Sequence, residues 1–383
     1  MVDMKRCFPT PAAHAGGTKG AVRARLRMAS LATALLATLW IASCGQQTTH
    51  SLPALGANAN ETSVSGISSG AYMAGQFQLA YGREVVGAAI IAGGPFGCAE
   101  SVFADFLPGP GAAFLNVSKA INGCMLDAMR LWGVPNPQLL AERARNLAEK
   151  GAIAPIDSDV TDRIYLFSGK SDHTVVPTIV RAAAEFYREL GVPDEQIKFV
   201  DNLDAGHAFV TDNAGLACDE TGKPYVVDCD YDQAGDLLSF IYGPLKPAVA
   251  QPSGDYITFD QRPFTNDLQT HGLEDSGVVY VPTACRSNGT AASGCRVHIA
   301  FHGCGQNRTM AGDAFIRETG FSRWADSNKI IVLFPQAATS PFNPQGCWDW
   351  WGYTGRGYMT RQAPQINAVH RMLMRLALRN QPS

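Results

Sequence analysis

Gly66-Ile67-Ser68-Ser69-Gly70 matches the pattern G-x-S-x-G. A serine at a sharp strand-to-helix turn projects its hydroxyl above the sheet, where it can attack an acyl carbon. The two glycines let neighbouring backbone pass without a Cβ, and the helix N-terminus favours developing negative charge. The chemistry of such a site is acyl transfer. A chain rich in Gly and Ser also yields this pattern by chance, so the flanking elements must carry the argument.

A serine hydroxyl needs a base to be nucleophilic at neutral pH. Of eight histidines, His14 and His50 lie in the N-terminal stretch, His271 in a linker-like stretch, His298 inside an expected strand and His370 inside an expected helix. His207 differs. It lies in Asp204-Ala205-Gly206-His207-Ala208-Phe209, just after an expected strand ending at Val200, which is where a hydrolase base belongs. The acid must orient the imidazole and stabilise its charged form. Asp172, in Gly169-Lys170-Ser171-Asp172-His173 just beyond a strand end, fits, with Asp201 and Asp204 as rivals inside the histidine loop. The order Ser68, Asp172, His207 is that of α/β-hydrolases.

The oxyanion of such a reaction takes one N–H from the residue after the nucleophile, here Ser69, and one from a loop after an earlier strand. Only the N-terminal stretch and one strand precede Ser68. The matching loop comes late, at His302-Gly303-Cys304-Gly305-Gln306, so the second donor is expected from Cys304. The block 277–336, usually N-terminal, then stands at the C-terminal end. Circular permutation accounts for this, and predicts that the last helix lies beside the first strand.

The elements that must position these groups follow from periodicity and punctuation. Strands are expected at 62–65, 85–92, 163–168, 197–200, 277–282, 296–301 and 330–335. Helices are expected at 71–81, 139–150, 178–190, 315–328 and 365–379. Strand–helix–strand spacing of this kind means a mostly parallel α/β sheet flanked by helices. Residues 243–265, rich in Pro and Gly, read as a linker-like stretch.

Residues 1–43 hold six of the 31 Lys/Arg and one of the 34 Asp/Glu, which leaves the remainder at −8. The positive run Arg23, Arg25, Arg27 followed by apolar residues 31–42 has the form of a secretory signal, too short for a comfortable span. An internal start such as Met28 would shorten it. Ile41-Ala42-Ser43-Cys44-Gly45 resembles a bacterial lipobox, with a lipid on Cys44; ordinary cleavage after small residues is the alternative. The expected product is secreted or an outer-membrane lipoprotein. Residues 44–60 are expected to be a flexible tether and 61–383 one catalytic domain with no second domain after it. The acidic balance argues against nucleic acid.

Eight cysteines remain beyond Cys7 and Cys44, an even number that implies disulfides in an exported chain. Sequence proximity favours Cys218–Cys229 and Cys285–Cys295, leaving Cys98–Cys124 and Cys304–Cys347. No C-x-x-C pair is present, and no metal or cofactor is expected. A Cys304–Cys347 bond would fasten the oxyanion loop to Cys347-Trp348-Asp349-Trp350-Trp351, whose indoles read either as an apolar wall for substrate or as core.

Taken together, 66–74 (Gly-Ile-Ser-Ser-Gly-Ala-Tyr-Met-Ala), 168–172 (Ser-Gly-Lys-Ser-Asp), 205–207 (Ala-Gly-His), 302–306 and 347–350 (Cys-Trp-Asp-Trp) resemble the extracellular short-chain-length polyhydroxyalkanoate depolymerases, of the type in which the serine box precedes the oxyanion histidine. The resemblance covers about 52–380. It implies cleavage of poly(3-hydroxybutyrate) or its oligomers, and the protein is expected to be a monomer. It implies Ser68, Asp172 and His207 as the triad, Ser69 and Cys304 backbone as the oxyanion hole, and His302 with Trp348, Trp350 and Trp351 against the substrate. Two other readings stand beside it: a general carboxylesterase of feruloyl or acetyl type, and a non-catalytic surface lipoprotein that binds polymer through its tryptophans.

Overall fold

The computed structural model describes residues 50–101, 110–156, 161–265, 271–286 and 294–379. The expected signal and the Cys44 site lie outside the described residues. In chain order, β1 (Asn58–Ile67), α1 (Ser69–Ala80) and β2 (Val85–Ile91) are followed by α2 (Pro110–Cys124) and α3 (Pro137–Glu149). Next come β3 (Arg163–Phe167), α4 (Pro177–Leu190) and β4 (Ile197–Val200), then short strands β5 (Phe209–Thr211), β6 (Leu216–Ala217) and β7 (Val226–Asp228), and α5 (Gln233–Tyr242). The last third holds β8 (Asp255–Asp260), β9 (Ser276–Val281), β10 (Arg296–Phe301), α6 (Arg308–Ala311), α7 (Ala314–Arg317), α8 (Phe321–Asn328), β11 (Ile330–Phe334) and α9 (Pro364–Ala377).

Eight strands form one sheet in the order β8-β9-β11-β10-β1-β2-β3-β4, parallel except where β9 runs against β8 and β11. Side chains alternate across it with the period of two that strands impose. In β3, Ile164 and Leu166 enter the core on one face, and Tyr165 and Phe167 the core on the other. Helices cover both faces, which is why β2, Val-Val-Gly-Ala-Ala-Ile-Ile, is apolar throughout. Helix α4 starts with Pro177 at its first position and stops at Gly191, whose φ of 99° is the left-handed cap that glycine adopts readily.

Counted from β8, the spatial order reads first, second, fourth, third, then fifth to eighth, which is the α/β-hydrolase sheet with its chain opened before the fifth strand. The natural ends meet as the permutation requires. Leu55 N–H and Ala57 N–H donate to Leu376 C=O, both at 3.1 Å, and Gly56 N–H donates to Leu378 C=O at 2.8 Å.

Several expectations need correction. The stretch before residue 61 is no tether where it is described: Leu52 is 1 % exposed, Leu55 is buried, and β1 begins at Asn58. These apolar side chains fill the surface that α9 and β1 share, a partner invisible from local composition. The linker-like 243–265 contains β8, an edge strand paired with β9. The helix expected over 315–328 is broken into α7 and α8 at Gly320, which has φ 80°. Helices α2 and α5 and the small β5-β7-β6 sheet have no counterpart among the expected elements. The four expected disulfides all form. Among the described residues no helix is long and apolar enough to cross a membrane, and no cluster of ligating side chains could hold a metal ion.

Candidate active site

Ser68 sits at the carboxyl end of β1, near the middle of the sheet, where open parallel sheets place their ligands. Its backbone has φ 56° and ψ −122°, a strained conformation for a residue with a Cβ. The turn holds because its neighbours admit no side chain. A Cβ on Gly66 would lie 2.0 Å from Gly70 C=O, and one on Gly70 would lie 2.3 Å from Phe301 C=O and 2.4 Å from His302 C=O. The second glycine therefore lets α1 press against the end of β10.

Asp172 follows β3 and His207 follows β4, so both descend from the same sheet edge as Ser68. The Asp172 carboxylate is buried. Its Oδ1 accepts Thr174 N–H at 2.8 Å and Val175 N–H at 2.9 Å, while Oδ2 lies 2.8 Å from His207 Nδ1. A carboxylate so held fixes the imidazole with Nδ1 as donor and Nε2 free for a proton. Asp201 and Asp204 take no part: they pair with Arg181 and Lys170 at the surface. No hydrogen bond joins Ser68 to His207 in this structure. Such contacts are often long before substrate arrives and tighten afterwards.

The loop after β10 closes the other side. Pairing of Gly66 with Phe301 brings it beside Ser68, and a Cβ on Gly303 would lie 3.4 Å from that of Ser68. His298 sets this register from below: its Nδ1 lies 2.7 Å from Ser63 Oγ and its Nε2 2.8 Å from Ser65 Oγ. In the loop, Gly303 N–H donates to Gln306 Oε1 at 2.6 Å and Gly305 N–H to Gln345 C=O at 2.7 Å. The N–H of Cys304 between them has no acceptor among the described residues. Ser69 N–H, in the first turn of α1, is one of those that helix geometry leaves unpaired. Two free donors thus flank Ser68, as stabilisation of an oxyanion requires.

His302, expected against the substrate, is instead fully buried. Its Nε2 accepts Ala337 N–H at 3.1 Å, so Nδ1 carries the hydrogen and donates to Gly303 C=O at 2.7 Å. Burial lowers its pKa to about 4. It is a neutral clamp on the loop, because the loop folds back over β10 and leaves no opening to solvent. Trp348 is enclosed likewise. Trp348 is 0 % exposed, packed edge-on to Phe301 with ring centroids 5.0 Å apart, and its backbone N–H donates to Ser69 Oγ at 3.3 Å. Trp350 stacks on Tyr72 at 4.0 Å, and Trp351 packs edge-on to Trp350. All three are buried, Trp350 and Trp351 to the same degree as Ser68 and His207.

The disulfide Cys304–Cys347 joins this aromatic segment to the loop, and Asn343 holds Cys347 through both its N–H (2.9 Å) and C=O (2.8 Å). Gln306 had no role assigned from the sequence; only its position in the loop hinted at one. The arrangement can take a proton from a serine, hold it on an imidazole and stabilise an oxyanion, which is the chemistry of ester hydrolysis.

No family model matches the chain. It is 36 % identical over 343 residues to a poly(3-hydroxybutyrate) depolymerase of Delftia acidovorans, covering 88 % of this chain and 64 % of that relative's length. It is 32 % identical over 350 residues to a polyhydroxybutyrate depolymerase of Talaromyces funiculosus, covering 86 % of this chain and 92 % of the relative. Among solved structures, a PHB depolymerase complexed with an R3HB trimer superposes with a TM-score of 0.73, and the PHB depolymerase of Penicillium funiculosum with 0.72. Both are 30 % identical to this chain, covering 86 % of it and all of the neighbour. On the permuted hydrolase sheet and these relatives together, the chain belongs to the polyhydroxybutyrate depolymerase family of carboxylic ester hydrolases.

Proposed function

We propose that this protein is an exported serine esterase that hydrolyses poly(3-hydroxybutyrate) or its oligomers. The observation that carries the reading is Ser68 at a strained strand-to-helix turn beside the N–H groups of Ser69 and the loop after β10, at the same end of the sheet as the hydrogen-bonded Asp172–His207 pair. Ser68 Oγ attacks the ester carbonyl as His207 Nε2 takes its proton. The carbonyl oxygen becomes an oxyanion held by the two N–H groups, each worth roughly 3–4 kcal/mol in serine hydrolases where one was removed. Asp172 stabilises the imidazolium. The intermediate collapses, the alcohol end of the chain leaves with the proton from His207, and an acyl-enzyme remains on Ser68. Water, activated by the same imidazole, releases the hydroxy acid.

Names of two relatives and two structural neighbours support the polyester as substrate, one neighbour having been solved with an R3HB trimer. Contact with solid polymer would fall to exposed apolar side chains. Six of the large ones lie between residues 114 and 139, among them Leu131 at 99 % and Trp132 at 82 % exposure. Export is supported by four disulfides, by the basic and apolar character of residues 1–43, and by Cys44 as the candidate cleavage or lipidation point.

The test is release of hydroxybutyrate acid or dimer from amorphous poly(3-hydroxybutyrate), comparing the parent with Ser68→Ala. Release by the parent alone establishes substrate and nucleophile together. No release, with Ser68-dependent cleavage of a small aryl ester retained, moves the assignment to a general carboxylesterase.

A further inference from the structure

The two sides of the candidate site come from separate stretches of the chain, yet one buried side chain joins them. Gln306 spans a gap between the oxyanion loop and the segment at 224–225. Its Oε1 accepts Gly303 N–H at 2.6 Å, and its Nε2 donates to Pro224 C=O at 3.1 Å and Tyr225 C=O at 2.9 Å. These partners fix the amide orientation, since an N–H can only donate and a carbonyl only accept.

Pro224 and Tyr225 belong to a loop closed by the Cys218–Cys229 disulfide. That loop grips the histidine segment at three points. Cys218 C=O accepts Gly206 N–H at 2.8 Å, Thr221 Oγ1 accepts His207 N–H at 2.8 Å, and Tyr225 C=O accepts Phe209 N–H at 2.9 Å. The Tyr225 carbonyl is thus shared between Gln306 and the residue two positions beyond His207. At the other end, the Gly303 N–H that Gln306 holds is one residue before the free N–H of Cys304.

We propose that Gln306 is a positioning residue that sets the Cys304 N–H relative to the His207 imidazole, with the disulfide-closed loop 218–229 as the spacer between them. The proposal rests on the serine-esterase reading. Both groups act at the same tetrahedral stage, one as oxyanion donor and one as proton carrier. Their separation must therefore match a single geometry, and a displacement of the order of 1 Å can cost about 100-fold in rate. Support of the oxyanion loop alone would need only the bond to Gly303. The two bonds from Nε2 reach a different element, and they make the loop's position depend on that of the histidine.

Gln306→Glu separates these roles, because it keeps an acceptor for Gly303 N–H and loses both donors. Gln306→Met removes all three bonds at similar volume. Each variant and the parent are assayed on a soluble aryl ester, with inhibition by a trifluoromethyl ketone, whose adduct on serine carries an oxyanion. The expected result for both variants is a fall in kcat of about 10- to 100-fold with KM within about twofold. Affinity for the ketone should fall by the same factor as kcat/KM. Thr221→Val loosens the same spacer from its histidine end. It should lower kcat less, and combined with Gln306→Met the loss should be smaller than the product of the two. Should the Gln306 variants not fold, a parallel loss of kcat and ketone affinity in Thr221→Val supports the spacer, and unchanged values overturn it. Parent-like kcat in Gln306→Glu, or losses that multiply in the double variant, overturns the proposal while leaving the esterase reading intact. Activity in the parent that survives Ser68→Ala removes the esterase reading, and the proposal with it.

Discussion

In the proposed mechanism the chemistry is carried by side chains on the β3–β4 side of Ser68 and by backbone on the β10 side. Asp172 and His207 meet through a 2.8 Å contact between their own atoms, so residue type is what matters there. Ser69 and Cys304 contribute only N–H groups, so nearly any side chain would do, provided the backbone is held in place. The holding is done by others: His302 and Gln306 inside the loop, His298 beneath it, and the 343–351 scaffold behind it. One side should fail when a functional atom is lost, the other when a neighbour lets the loop move.

The sharpest test of this contrast is Ser68→Ala, alone and combined with His207→Ala. Each should lower kcat by up to about a millionfold, and the double variant little further, because the side-chain half acts as a unit. The residual rate is the backbone half's own contribution, and a double variant far below either single one would break the division. Asp172→Asn should cost about 10⁴-fold in kcat with the fold intact, because the amide no longer imposes the productive tautomer. Gly70→Ala acts on the backbone half without touching a reacting group. Its methyl would meet the carbonyls of Phe301 and His302 at 2.3 and 2.4 Å and push the oxyanion loop away. A fall of about 100- to 1,000-fold in kcat is expected in whatever fraction folds, the range seen for loss of one oxyanion donor. Parent-like turnover there would mean that Cys304 N–H is not a donor.

A smaller effect should follow Cys304→Ser with Cys347→Ser. Asn343 and the Gly305–Gln345 bond still tie the two segments, so about tenfold or less in kcat is expected. Unchanged activity would reduce the disulfide to a purely stabilising role. Smallest is a pH effect on stability. Burial lowers His298 from 6.5 to about 3 and His302 to about 4. Below pH 6.5 the unfolded chain takes up these protons and the folded one does not. Stability is therefore greatest above that value and falls as pH drops toward 4, by about 1.4 kcal/mol per pH unit for each group. Asp162, raised to about 6 by burial, gains its proton first in the folded state and opposes the trend. Melting temperatures that do not fall between about pH 7 and pH 5 would show that the two histidines do not govern acid stability.

The same division explains what could be read early. The G-x-S-x-G turn after β1 and the placement of Asp172 after β3 and His207 after β4 are visible because strand ends and chemically special residues leave a local trace. The late position of His302-Gly303-Cys304 implied the permutation, and the bonds between 55–57 and 376–378 bear that out. The wrong expectations share a cause. His302 and Trp348 have the residue types of a binding site, but exposure is a property of neighbours far along the chain: Ala337 for the one, Phe301 and Ser69 for the other. Leu52 and Leu55 have the look of a tether for the same reason, since α9 covers them from more than 300 positions away.

The sequence by itself determined which atoms are available for chemistry and the order in which the sheet's strands present them. Periodicity, glycine turns and reactive side chains are encoded within a few residues of one another. Only the tertiary structure decided that His302 is walled in, and which glutamine ties the two halves together. Those outcomes depend on burial and on hydrogen bonds between segments that no local pattern connects.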